Sequence, residues 1–149
     1  MASEKKATAF VTGADGFFGT ELVKVLTENG HRVFGLAPTL EAAERVRRAG
    51  GQAVIGDLLE PGPWQDEAAA EWVFHLPPHP LSGGLLTRRR AASIAHARVV
   101  MDRNLLGAVA SAATRRVVYV ADASYYGATG PRPITEDEPF QPSAWGRCF

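Results

Sequence analysis

The stretch Ala7-Thr8-Ala9-Phe10-Val11-Thr12-Gly13-Ala14-Asp15-Gly16-Phe17-Phe18-Gly19 carries the strongest signal in the chain. Its first six residues are short, apolar and rich in Phe, Val and Thr, which predicts a buried strand. The glycines then follow a G-x-x-G-x-x-G spacing. Gly13 lets the chain turn sharply off the strand, Gly16 leaves room for a pyrophosphate against the backbone, and Gly19 lets a helix pack close to a sheet. The free N–H groups and dipole at that helix start attract phosphate. After Gly19 the apolar period becomes helical, with Leu22, Val23 and Leu26, and Asn29-Gly30 supplies a stop. A glycine triplet alone is weak, because a ligand-free turn reads the same way. The strand before it and the helix after it give it weight.

Working outward, strands are expected at Arg32 to Leu36, Gln52 to Gly56, Trp72 to Leu76 and Arg116 to Ala121. Helices are expected at Leu40 to Ala49, around Gln65 to Ala70, and from Arg90 to Ala113. Pro77-Pro78-His79-Pro80 predicts an irregular segment, and the Pro- and Gly-rich run after Gly127 predicts a loop. Alternating strands and helices predict an α/β fold, a doubly wound parallel sheet of the Rossmann type with strand order 3-2-1-4-5. Residues 1–149 suit a single domain, with 2–126 as its core and 127–149 as its tail.

The bulk properties narrow the partners. Sixteen basic and sixteen acidic side chains balance, so nothing draws the chain to nucleic acid or to an anionic membrane. Cys148 is the only cysteine, which excludes an intrachain disulfide and suits a reducing compartment. The first residues lack the apolar core of a signal peptide, and no apolar run reaches the length of a membrane span. A cytoplasmic location is expected. His75 and His79 stand apart from other ligating residues, so no metal site is expected.

The adenosine end of the site is less marked. The second strand runs into Ala37-Pro38-Thr39 without the acid that reads a ribose in such domains. Arg45, Arg47 and Arg48 on the next helix are candidates for a 2′-phosphate, and a solvated helix face is the plainer account. NAD or NADP is therefore the expected cofactor, without a preference. Asp57 is a candidate for the adenine amino group, or else a cap or turn residue.

Several segments together resemble the extended short-chain dehydrogenases, the NAD-dependent epimerase/dehydratase family. They are the Thr12–Gly19 loop, Gly56-Asp57-Leu58, Val73-Phe74-His75-Leu76, Arg103-Asn104-Leu105-Leu106, Val118 to Gly127, and Pro133 to Pro139. The resemblance implies dinucleotide contacts at Thr12, Gly13, Asp15, Gly16, Phe17, Phe18 and Gly19, at Asp57 and Leu58, and at Leu76 and Pro77. It also implies hydride transfer on sugar nucleotides or similar alcohols. There a tyrosine serves as acid/base, a lysine four residues later lowers its pKa, and a serine or threonine orients the substrate oxygen.

At those catalytic places the sequence departs from the family. Trp145 stands at the tyrosine position, Phe149 at the lysine position, Asp122 at the serine position, and Arg98 at the helix asparagine that completes the proton relay. An indole N–H does not titrate usefully and a phenyl ring carries no charge. Ser124, Tyr125 and Tyr126 are the remaining candidates; for the two tyrosines, packing below the cofactor is the plainer role. The likeness stops before the catalytic helix and substrate domain of family members, which leaves a sheet edge for a second copy or a partner chain. The expected function is a dinucleotide-binding module impaired in catalysis by itself. The alternatives are an oxidoreductase or epimerase completed by unusual residues or a partner chain, and a cofactor-free interaction protein.

Overall fold

The computed structural model describes residues 6–76, 87–109, 114–121 and 123–142. The elements are β1 (Thr8–Thr12), α1 (Phe17–Glu28), β2 (Arg32–Ala37), α2 (Leu40–Arg48), β3 (Gln52–Ile55), α3 (Trp64–Glu67), β4 (Trp72–His75), α4 (Arg88–Val109) and β5 (Arg116–Tyr119). The five strands form one parallel sheet in the order β3-β2-β1-β4-β5, as the strand–helix alternation predicts.

Local chemistry fixes the helix ends. Helix α1 starts at Phe17, two positions before the expected Gly19, because Gly16 caps it and its carbonyl accepts the Thr20 N–H. It stops where Gly30 takes φ +82° and returns its N–H to the Thr27 carbonyl. In α2, the Thr39 hydroxyl accepts from Ala42 N at 3.1 Å. Helix α3 is shorter than expected and begins one residue earlier, right after Pro63. Helix α4 begins at Arg88, because the Thr87 hydroxyl caps Arg90 N at 3.2 Å. The β5 ladder ends at Tyr119, short of the expected Ala121, and a 3₁₀ turn over Ala123–Tyr126 follows that the sequence reading missed.

The chain divides into two compact units, Met1–Pro78 with Val100–Val120, and His79–Val99 with Ala121–Phe149. The first holds the sheet. Period-two alternation along β1 sends Ala9 and Val11 into a cluster with Ala14, Val23, Leu26, Val33 and Val46. Each buried valine or leucine of this cluster contributes about 1.5–3 kcal/mol. At Gly35, a Cβ would lie 2.6 Å from Val46 Cγ1 and 2.8 Å from Ala14 Cβ, so the glycine lets α2 sit directly on β2. Phe10, the alternate residue of β1, stacks on the buried indole of Trp64 at 6.2 Å. Trp64 also explains Gly56, where a Cβ would meet the indole at 2.5 Å.

In the second unit, Tyr125 and Tyr126 pack on Phe140, with ring centroids 4.5 and 5.7 Å away. Gly127 takes φ +74°, and a Cβ there would lie 2.1 Å from the Gln141 carbonyl oxygen. Arg132 forks onto both carboxylate oxygens of Glu138. No helix among the described residues is long and apolar enough to cross a membrane.

Candidate functional site: a glycine cradle at the carboxyl end of the sheet

Each glycine of the loop answers a different demand. Gly13 has φ +60°, and a Cβ there would stand 1.9 Å from the Leu76 carbonyl oxygen. At Gly19 a Cβ would lie 2.0 Å from the Gly13 carbonyl oxygen and 2.7 Å from Ala14 Cα. These two positions are closed by backbone, so only glycine fits. Gly16 differs: its φ of −80° suits any residue. Among the described residues, a Cβ there meets only the Gly13 carbonyl oxygen, at 3.2 Å. With respect to those residues the space in front of Gly16 is open, while the loop around it is tight.

Helix α1 leads straight out of that space. Gly16 has no side chain with which to cap it, and its first turn carries no acid. Its leading N–H groups and positive dipole end therefore face the cradle without a negative group of their own helix. This is a donor set for an anion, and it fits a diphosphate. Phe17 and Phe18 stand beside it, 83% and 74% exposed, with their rings edge to face at 5.2 Å.

Behind the cradle lies a polar network that the sequence did not reveal. Thr12 Oγ1 accepts from Leu76 N at 3.2 Å and lies 2.8 Å from Nδ1 of the buried His75. His75 Nε2 lies 2.9 Å from Asp102 Oδ1, and the Tyr119 hydroxyl donates to Asp102 Oδ2 at 3.1 Å. A carboxylate only accepts, so this geometry assigns the ring proton to Nε2 and lets Nδ1 accept the Thr12 hydroxyl. The network fixes the ends of β1 and β4 against each other, and with them the Leu76 carbonyl that shapes Gly13.

On the adenosine side, Asp57 Oδ1 accepts from Leu59 N at 2.9 Å, an Asx turn, and the residue is exposed. Leu58 is buried, and its carbonyl accepts from Asn104 Nδ2 at 2.8 Å. Asn104, inside the fourth-helix motif, thereby anchors this loop to α4. Asp15 of the glycine loop pairs with Arg45 of α2 at 2.9 Å, and Arg45 also meets Glu41 at 2.8 Å. The hydrogen bond to Asp15, more than any other contact, raises the Arg45 guanidinium above its ordinary value. Arg47 and Arg48 pair with Glu44 at 3.8 and 3.4 Å. Arg47 and Arg48 thus fit the solvated helix face of the plainer sequence account, whereas Arg45 also reaches the glycine loop.

The structure brings Thr12, Gly13, Asp15, Gly16, Phe17, Phe18, Gly19 and Leu76 together at the carboxyl ends of β1 and β4. Pro77, Asp122, Trp145 and Phe149 lie outside the described residues. Arg98 lies on α4, and Tyr125 and Tyr126 belong to the 3₁₀ turn. Among the described residues, no group of three or more His, Cys, Asp or Glu is placed to hold a metal.

Comparison with known proteins agrees with this fold. A putative dihydroflavonol 4-reductase of Synechocystis is 27% identical over 121 residues, which are 81% of this chain and 34% of that protein. A short-chain dehydrogenase/reductase superfamily protein from Agrobacterium tumefaciens, solved with bound NAD, superposes with a TM-score of 0.73 at 27% identity. The match covers 95% of this chain and 41% of that one. UDP-glucose 4-epimerase from Bifidobacterium longum, solved with NAD+ and UDP, shares the fold with a TM-score of 0.74 at 22% identity, over 95% of this chain and 45% of that one. The chain thus spans less than half the length of each of these proteins. Residues 9–145 match the model of the NAD dependent epimerase/dehydratase family, and the chain belongs to that family.

Proposed function

We propose that this chain binds NAD(P) in the glycine cradle, with the diphosphate over Gly16 and the start of α1, and that alone it lacks the acid/base pair of the family's reaction. The observation that carries the reading is the contrast among the glycines. Backbone closes Gly13 and Gly19, while Gly16 faces open space beside an acid-free helix start. The NAD-bound Agrobacterium relative supports the choice of ligand. The dinucleotide supplies the redox chemistry when bound, and Thr12, His75 and Leu76 hold the loop that receives it. Trp145 and Phe149 at the family's tyrosine and lysine positions support the loss of proton transfer.

Isothermal titration with NAD and NADP tests the binding. Heat of binding to the wild type and none to Gly16→Val is the expected pair of results. Equal affinity in the variant, or no binding by the wild type, refutes the reading. A second reading, an oxidoreductase or epimerase whose site a partner chain completes, draws support from β5. Val117, Val118 and Tyr119 on this edge strand are each 43–44% exposed. Mixed-chain activity, absent from either chain alone, distinguishes it.

A further inference from the structure

Three formal charges meet at the adenosine side of the cradle. Arg45 Nη2 lies 2.9 Å from Asp15 Oδ2, and Nη1 lies 2.8 Å from Glu41 Oε1. Two carboxylates surround one guanidinium, so the cluster keeps one net negative charge. No charged side chain stands at the end of β2 itself. The strand ends at Ala37, Pro38 follows, and the Thr39 hydroxyl caps α2 through Ala42 N. The neighbouring cations Arg47 and Arg48, both exposed, share one carboxylate, Glu44, and neither reaches the glycine loop as Arg45 does.

In a fold of this topology the ribose of the adenosine lies by the end of the second strand, and a nearby arginine there receives the 2′-phosphate that separates NADP from NAD. Arg45 projects from the helix that follows β2 back to the loop that follows β1, so its guanidinium has the reach for that phosphate. Its two outer nitrogens already serve carboxylates. A phosphomonoester carries about two negative charges near neutral pH. It would meet an arginine already held between two acids and would have to displace at least one of them. Resting on the dinucleotide reading above, we propose that Asp15 and Glu41 are specificity-determining residues, which select NAD over NADP by holding Arg45.

Titration of the purified chain with NAD and with NADP, in parallel calorimetric runs, tests this. The wild type is expected to bind NAD more tightly by about tenfold or more. Asp15→Asn with Glu41→Gln frees Arg45 and turns the cluster positive, so the ratio of the two dissociation constants should move toward NADP by about tenfold. Adding Arg45→Ala to that double variant should cancel the move. Glu41 is 86% exposed, so Glu41→Gln alone keeps the fold and should move the ratio in the same direction by about threefold. A ratio unchanged in Glu41→Gln and in the double variant overturns the proposal, as does a shift that persists without Arg45. If the wild type binds both dinucleotides and the ratio ignores these residues, only the specificity role falls. If it binds neither, the dinucleotide reading falls with it.

Discussion

Thr12 and His75, 63 positions apart, are paired twice: as register partners in the β1–β4 ladder and through the 2.8 Å contact between Oγ1 and Nδ1. The side-chain contact locks the ladder at the point where the chain leaves β1 for the glycine loop. Thr12→Val keeps the shape but removes the acceptor of Leu76 N–H and the partner of Nδ1. The loss should cost about 1–3 kcal/mol. In a domain of this size that lowers Tm by roughly 3–10 °C. Thermal unfolding by circular dichroism checks it, and an unchanged midpoint would show that the buried pair adds nothing.

Gly13 and Gly16 should separate folding from binding. Gly13→Ala forces a Cβ onto the Leu76 carbonyl from a left-handed backbone, and should destabilise the chain by more than about 2 kcal/mol. Gly16→Val should unfold within about 1 kcal/mol of wild type, because only the Gly13 carbonyl crowds the new Cβ. Denaturant titrations read the first effect, and dinucleotide titration reads the loss in the second.

The pair between Arg132 and Glu138 makes a pH prediction. Hydrogen bonds from Arg132 hold the Glu138 carboxyl below its ordinary range. An unfolded glutamate titrates near about 4.3. The pair's contribution is therefore complete above that pH and is lost as pH falls through the lowered folded value. Arg132→Ala should raise the Glu138 midpoint toward the ordinary value in an NMR titration. Because the pair is at the surface, 1 M salt should do much the same, and global stability should barely change.

Turnover should be absent from the isolated chain. General acid–base help is worth roughly 10²–10⁴-fold, and Trp145 and Phe149 provide neither the acid nor the cation. By the family resemblance Asp122 stands at the serine position, where the charge of a carboxylate able to take the proton would favour the oxidised, positive nicotinamide. Trp145→Tyr with Phe149→Lys restores both groups. Family-level turnover of a sugar nucleotide by the unaltered chain, measured through nicotinamide absorbance, would show that the acid/base group lies elsewhere.

The parts of the site that were legible in the sequence are local. The glycine loop announces itself because strand, turn and helix follow one another within a dozen residues, and alternation with right-handed crossovers restricts the sheet to a few doubly wound orders, 3-2-1-4-5 among them. The Asp15–Arg45 pair was invisible for the opposite reason. It joins residues 30 apart, and Arg45 already has an i,i+4 partner in Glu41 that makes it look like an ordinary surface arginine. Asp102 gave no sign of its link to His75, since nothing in helical spacing points across a sheet. Gly56 looked like part of a motif, but its reason, the indole of Trp64, lies eight residues on behind a Pro-Gly-Pro break. Asp57 was left open between adenine contact and turn residue, and the structure shows the turn bond to Leu59.

The strand order bears on how the molecule assembles. No two neighbouring strands are joined by a hairpin, because every ladder in the sheet is parallel. Each rung therefore closes a long loop before it is rewarded, which makes collapse slow and leaves unpaired strands open to wrong partners in the meantime. β1 is made first but lies in the middle. It can pair with β2 early on the ribosome, yet its other edge stays bare until β4 has emerged. The cradle's own strand thus stays half covered while residues 38–75 are made, and a chaperone that shields apolar segments should raise the chain's yield more than it would for a hairpin-built domain of equal size.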